Sequence, residues 1–255
     1  MKIVWVVRPA EGGILQHLEQ LLKGIPDLEI VVVAPPDLQE WAGTRRFVAL
    51  DLVDGLHPKR DLTATSKLRR FLRQEKANVV HAHGLKAALV TALALTPTRH
   101  TGFVFTAHNA LPQSSSKFTQ WISDRVQRWM FNSMDTIISV SDTVRSQIVR
   151  FAPERKVLTI HNGIASARFG DYPIDVSRAS LGLDPDCKVI GTVARLIPSK
   201  GMATLLEAMS LIVRIMPQVH LVIVGDGPER HRLEQYAHGL GLGDKVRFLG
   251  WRDDV

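Results

Sequence analysis

Short apolar runs alternate with helix-period segments along nearly the whole chain, and this alternation limits the fold more than any single residue does. Residues 3–7, 29–33, 78–82, 102–106, 136–140 and 157–160 each read as a buried strand. Between them lie amphipathic patterns. In 116–131 the apolar residues Phe118, Trp121, Ile122, Val126, Trp129 and Met130 recur at helical spacing. Leu62, Leu68, Phe71 and Leu72 form a second stripe, flanked by Arg69, Arg70, Arg73 and Lys76. Ser141 is placed to cap a helix over 142–150. Strands separated by helices imply an α/β fold, with a parallel sheet covered on both faces.

The pattern stops and restarts. Asn162-Gly163 is a turn signal, and Tyr172-Pro173 and Asp184-Pro185 punctuate the next twenty or so residues. Strands are expected again at 188–194, 219–224 and 246–249, with helices at 200–215 and 228–238. The expected organisation is therefore an N-terminal Rossmann-like domain over 1–165, a linker over 166–186, and a second unit over 187–255. Three strands and two helices are half of a doubly wound unit. The last residues, Asp253-Asp254-Val255, come directly after a strand, so the second domain is expected to be incomplete.

Bulk properties narrow the class. Apolar residues make up 45% and charged residues 22% of the 255, which is ordinary globular usage. The apolar run at 3–7 is too short for a secretory signal, and the stretch 79–96 is interrupted by His81, His83 and Lys86. Cys187 is the single cysteine and forms no internal disulfide, which suits a cytoplasmic protein. The net charge of +7 lies wholly in residues 1–165, which hold 21 Lys/Arg against 14 Asp/Glu. A solvated basic face, contact with an anionic membrane surface, and nucleic acid compete to explain it. No finger, helix-turn-helix or RNA-recognition signature accompanies the charge, so no nucleic-acid partner is expected.

Several motifs stand where strands end. Gly12-Gly13 comes after the first strand and opens a helix, a place where backbone amides can approach an anion, though a plain turn explains it equally well. His81-Ala82-His83-Gly84, Thr106-Ala107-His108-Asn109 and His161-Asn162-Gly163 put polar groups at strand ends, where open α/β sheets bind ligands. Packed, hydrogen-bonded histidines are the competing reading. No carboxylate or cysteine completes a zinc-ligand spacing. In 191–201 Arg195 leaves a strand end and Lys200 starts the next helix, a pair able to hold a diphosphate without metal or, alternatively, two solvated cations. Gly225-Asp226-Gly227-Pro228-Glu229-Arg230 invites a dinucleotide reading, which fails because Arg230 stands at the third glycine and no acid closes the next strand.

Together these pieces resemble the family-4 retaining glycosyltransferases of the GT-B fold. The resemblance rests on Gly12-Gly13 with His17, on 79–83, 106–109, 138–141 and 160–164, on Arg195 through Lys200-Gly201, and on Val224 through Glu229 with Phe248-Leu249-Gly250. It implies a nucleotide-diphosphate sugar as donor, a glycan or lipid-linked acceptor, and transfer with retention. It implies no cofactor and no metal. By resemblance Arg195 and Lys200 grip the donor diphosphate, Gly12 and Gly13 lie nearby, and His108 is the catalytic residue beside the transferred sugar. His17, His83, Asn109, Asn162, Gly225, Glu229, Trp251 and Arg252 fall where the acceptor or nucleotide pocket is expected. Ala165 departs from the family's frequent aspartate. The family's glutamate pair and its bracing helix are expected beyond Val255, which leaves two alternatives: a non-catalytic nucleotide- or acceptor-binding module, or one half of an enzyme completed by a partner chain. Peripheral contact with the inner face of a membrane is a further expectation, carried by Arg69, Arg70, Arg73 and Lys76.

Overall fold

The computed structural model describes residues 1–10, 12–95, 101–112, 116–164, 178–184 and 186–252. The turn signals at Tyr172-Pro173 and Pro185, the departure at Ala165, most of the expected linker, and Asp253-Asp254-Val255 lie outside the described residues. The chain forms two compact units, Met1–Phe169 and Gly170–Val255.

The first unit is a seven-stranded parallel sheet. Its strands are β1 (Lys2–Val7), β2 (Glu29–Ala34), β3 (Phe47–Ala49), β4 (Val79–His83), β5 (Gly102–Ala107), β6 (Thr136–Ser139) and β7 (Val157–Thr159), in the order β3-β2-β1-β4-β5-β6-β7. The order reverses direction between β1 and β4. In sheets of this kind that reversal leaves a crevice beyond the carboxyl ends of the two strands. Alternate residues of β1 serve opposite faces. Trp5 and Val7 pack with Leu18 and Leu22 of α1 (Gly13–Gly24), while Val4 and Val6 pack in the cluster that contains Leu68 of α3 (Pro58–Glu75) and Val90 of α4 (Leu85–Leu95). That division results from the two-residue period of a strand.

The stretch 79–96 separates into β4 and α4. Most of α4 is buried, including Ala87, Ala88, Val90 and Ala92, which explains why it is apolar on all sides. No described helix is long and apolar enough to cross a membrane. After a four-residue α2 (Gln39–Ala42), β3 adds an edge strand that the sequence pattern does not indicate. Ser141 accepts a hydrogen bond from the Val144 amide at 3.2 Å and caps α6 (Asp142–Ile148), as expected, although the helix is shorter than 142–150.

Two helical stripes are not packed as their spacing suggests. In α5 (Lys117–Asn132) Met130, Phe131 and Gln127 are buried, whereas Phe118, Trp121, Ile122, Val126 and Trp129 are exposed. In α3 Leu68 is buried but Leu62 is exposed. The four cations of α3 do not form one face either. Arg69 turns inward and donates to the carbonyl oxygens of Leu93 at 2.6 Å and Ala94 at 3.2 Å, closing the end of α4. Only Arg70, Arg73 and Lys76 remain on the exposed side.

The second unit holds β8 (Lys188–Val193), β9 (Val219–Val224) and β10 (Val246–Gly250), parallel and in the order β10-β9-β8. A short 3₁₀ turn at Pro198–Lys200 precedes α7 (Met202–Ile215), and α8 (Arg230–Gly239) comes after β9. Leu206 and Met209 of α7 and Leu233 of α8 close over Leu221 and Ile223. Leu183, Cys187 and Val222 form a smaller cluster.

Candidate functional site

In the first unit the crevice beyond β1 and β4 gathers four histidines. His81 and His83 end β4, His108 lies just past β5, and His17 projects from α1. Neighbouring ring centroids lie 4.0 Å apart for His81–His83, 5.6 Å for His83–His108 and 5.6 Å for His17–His108. Trp5 closes the cluster from below, edge-on to His83 at 4.8 Å. Among the described residues no group of three or more His, Cys, Asp or Glu is arranged to hold a metal ion.

Burial fixes the protonation of this cluster. It pushes His108 down to about 4, with the positive fields of His17 and Arg8 adding to the effect. His81 is pushed down to about 3 by burial and then by His108 and His17. Burial also lowers His17, and lowers His83 well below the ordinary histidine range, with His81 as the next contributor. All four rings are therefore neutral at pH 7.

Neutral rings impose a constraint on hydrogens. His83 Nδ1 and His108 Nε2 are 3.3 Å apart and share one proton between them. If His83 donates, His108 carries its hydrogen on Nδ1; if His108 donates, His83 carries its own on Nε2. Both of these outer nitrogens are buried without a hydrogen-bond partner among the described residues. One unpaired buried N–H is thus built into the pair, at a cost of about 1–3 kcal/mol. His81 is settled differently, by a 2.8 Å hydrogen bond to Thr106 Oγ1.

His108 and Asn109 border an apolar cleft of about 780 Å³, whose floor includes Phe105 and Met130. Its rim includes Arg8, Leu56 and Ile122. Arg8 pairs with Asp54 at 3.4 Å, and its stem crosses Gly84, where a Cβ would approach within 2.4 Å of it. Lys86 braces the same rim from inside, bonding Asp61 at 2.5 Å and donating to the Gly55 carbonyl at 2.7 Å. Sequence reasoning misses Arg8, Lys86 and the cleft itself. Their only signal is that Arg8 directly succeeds β1, at the end of the sheet where the histidines stand. Gly12, with φ +58, begins α1 with open space above it, and so does Gly13.

The second unit builds its site at the carboxyl ends of β8, β9 and β10. Arg195 and Lys200 are both exposed on the β8–α7 segment. Gly201 caps α7 in a left-handed conformation and has no side chain to satisfy the first-turn amides. This segment is seated on the β9–α8 loop by backbone hydrogen bonds from Leu196 to the Asp226 carbonyl at 2.9 Å and from Glu229 to the Leu196 carbonyl at 3.0 Å. Glycine permits that contact. A Cβ on Gly225 would come within 2.0 Å of the Ala194 oxygen, and one on Gly227 within 2.5 Å of the Leu196 oxygen. Gly225 and Glu229 therefore have structural roles here, Glu229 also pairing with Arg232 at 2.8 Å. Trp251, exposed, and Arg252, half-buried, lie just past the end of β10. In the first unit His17, His83, His108 and Asn109 come together, whereas Asn162 is exposed beyond β7.

The chain is similar to known proteins across both units. The family model "Glycosyltransferase Family 4" matches residues 11–168, and "Glycosyl transferases group 1" matches residues 173–255. A subunit of the phosphatidylinositol N-acetylglucosaminyltransferase of Arabidopsis thaliana is 30% identical over 72% of this chain and 40% of its own length. The lipopolysaccharide core biosynthesis glycosyltransferase LpsE of Rhizobium meliloti is 32% identical over 49% of this chain and 34% of its own. The Escherichia coli UDP-Gal:alpha-D-GlcNAc-diphosphoundecaprenol alpha-1,3-galactosyltransferase is 23% identical over 94% of this chain and 65% of its own. The chain thus spans between a third and two thirds of these relatives. Among solved structures, Anabaena Alr3699/HepE in complex with UDP and glucose superposes with a TM-score of 0.79 at 24% identity, covering 100% of this chain and 70% of that one. Sucrose-phosphate synthase from Thermosynechococcus elongatus superposes at 0.76 and 21% identity, over 99% and 71%. Those likenesses establish the GT-B fold, and the chain belongs to glycosyltransferase family 4.

Proposed function

We propose that this chain carries the acceptor side and the diphosphate-binding part of an enzyme that transfers a sugar from a nucleotide-diphosphate sugar to a lipid-linked acceptor, with retention. The observation that carries the reading is the neutral, desolvated His108 at the mouth of an apolar cleft. A neutral imidazole there adds no charge to an apolar pocket. The cleft lining is mainly apolar, which fits the lipid portion of an acceptor better than a second sugar. The names of the plant and Escherichia coli relatives, one a phosphatidylinositol and the other a diphosphoundecaprenol transferase, agree with a lipid acceptor.

In this reading Arg195, Lys200 and the first-turn amides of α7 hold the donor diphosphate and stabilise charge as it develops on the leaving phosphate. Retention results if the acceptor attacks from the face the phosphate leaves, its proton passing to a phosphate oxygen. No side-chain nucleophile is then required. Titration of UDP and of GDP into the wild type, Arg195→Ala and Lys200→Ala tests the donor assignment. Charge-assisted contacts contribute about 1.5–3 kcal/mol each, so each variant is expected to bind roughly 10- to 150-fold more weakly. Equal affinity in all three proteins removes both cations from the site.

A further inference from the structure

We propose that a polar cavity between α5 and α6 is a saccharide subsite, which holds a neutral sugar unit next to the accepting one and so selects an acceptor that already carries a glycan. The cavity measures about 290 Å³, at the small end of ligand-binding pockets. Gln120, Asp124 and Gln127 line it from α5, at intervals of four and three residues and so on one side of the helix. Gln147 of α6 joins them, with Arg150 and Phe151 from just past the end of that helix. The parts are held in place. Gln120 donates to one oxygen of Asp124 at 2.6 Å, and Gln147 Oε1 accepts from the Leu111 amide at 2.8 Å, which leaves the Gln147 NH₂ group as a donor. The guanidinium carbons of Arg128 and Arg150 lie 5.9 Å and 6.0 Å from the Phe151 ring centre. Gln127 is only 4% exposed; it donates to Ser123 Oγ at 2.8 Å, while its Oε1 has no hydrogen-bond partner among the described residues. An apolar side chain would fill that position without leaving a polar atom unmet.

This chemistry selects a neutral sugar. Carboxamides both donate and accept, as sugar hydroxyls do, and Phe151 supplies an aromatic surface for the apolar face of a pyranose ring. Arg150 and Asp124 are the ionised groups of the lining and offset each other, so a phosphate finds no net charge there. Location then says which sugar. Leu111, Pro112 and Gln127 line this cavity and the apolar cleft alike. Leu111 comes three residues after His108, a reach of at most about 11 Å along the chain. A sugar in the cavity is therefore close enough to be joined to one beside His108. The acceptor then lies with its lipid in the cleft, the accepting sugar at the mouth, and a neighbouring sugar beyond Leu111 and Pro112. That order rests on the acceptor reading above, whereas the saccharide site rests on the cavity lining alone.

The experiment is saturation-transfer difference NMR with the methyl glycosides of glucose, galactose, mannose and N-acetylglucosamine and with the hexyl counterpart of each. It compares the wild type, Gln147→Glu, Phe151→Leu and Arg195→Ala, and UDP is titrated into each protein in parallel. Gln147→Glu keeps an acceptor for the Leu111 amide and removes only the donor group. At least one methyl glycoside is expected to bind the wild type in the millimolar range. Gln147→Glu and Phe151→Leu should each weaken it at least fivefold without changing UDP affinity, while Arg195→Ala leaves it within twofold. The hexyl tail should add at least fivefold by entering the cleft. Glycoside binding that Gln147→Glu weakens but the tail does not strengthen supports the saccharide cavity and counts against the lipid reading of the cleft alone. Should Phe151→Leu fail to fold, Arg150→Met is the substitute, expected to bind at least threefold more weakly. The absence of binding by every glycoside at tens of millimolar overturns the proposal. So does binding that both cavity variants leave unchanged, or that UDP displaces.

Discussion

Gly225 illustrates how a single position decides where a charged side chain stands. Its φ of +125 and its contact with the Ala194 oxygen leave no room for a side chain. Gly225→Ala must therefore push the β9–α8 loop away from the segment that carries Arg195. We expect a loss of about 1–3 kcal/mol in the stability of the second unit, the usual cost of a strained backbone site. UDP affinity should fall about tenfold, or 1.4 kcal/mol. Differential scanning calorimetry and UDP titration check both effects, and an unchanged affinity would mean that the loop contact does not position the cation. By sequence alone this glycine reads as part of a nucleotide pocket. A motif letter records that a side chain is missing but not what occupies its place, and here that is another loop's carbonyl. The histidines are legible as polar groups at strand ends, and the fold gathers His17, His81, His83 and His108 into one cluster there.

At the scale of elements, α3, α4 and the 54–57 loop are joined by one buried ion pair. Lys86 enters the protein from α4 and meets Asp61 of α3 with only 6% and 14% of their side chains exposed. Removing one charge strands the other away from water. Lys86→Met is expected to destabilise the first unit by about 3–5 kcal/mol, and Lys86→Met/Asp61→Leu to recover much of that loss. Urea unfolding of the three proteins measures this, and a double variant no better than the single one would contradict it. Elements are legible in proportion to their periodicity. The long strands and α7 emerge from apolar spacing alone, whereas β3 has three residues beside Arg45 and Arg46 and presents no pattern to read. Spacing also marks the apolar side of α5 without saying what faces it. The cleft cannot be read at all, since its lining comes from five stretches between Arg8 and Met130 that only the fold brings together.

For the whole molecule, the histidine cluster sets how stability responds to acid. His17, His81, His83 and His108 all bind protons less readily in the folded unit than in an unfolded chain. Their contribution is fully present above about pH 6.5. It is lost as pH falls toward the folded values of about 4 for His108 and about 3 for His81, because the unfolded state then takes up protons that the native state refuses. His81 and His108 each contribute a slope of at most about 1.4 kcal/mol per pH unit across that window, and His17 and His83 add to it in the same direction. The urea midpoint followed by Trp emission, to which four of five tryptophans in the first 165 residues contribute, should be lower at pH 5 than at pH 7.5. His108→Gln should narrow the gap, and equal midpoints for the wild type would show that the rings protonate without unfolding.

The two glycine contacts in the second unit have a thermodynamic consequence of their own. Because Gly225 and Gly227 let the β8–α7 segment rest directly on the β9–α8 loop, both backbones lose their conformational freedom when the unit folds. On the proposed donor assignment, a phosphate at α7 has this loop contact already ordered, so its binding is expected to carry a smaller main-chain entropy cost.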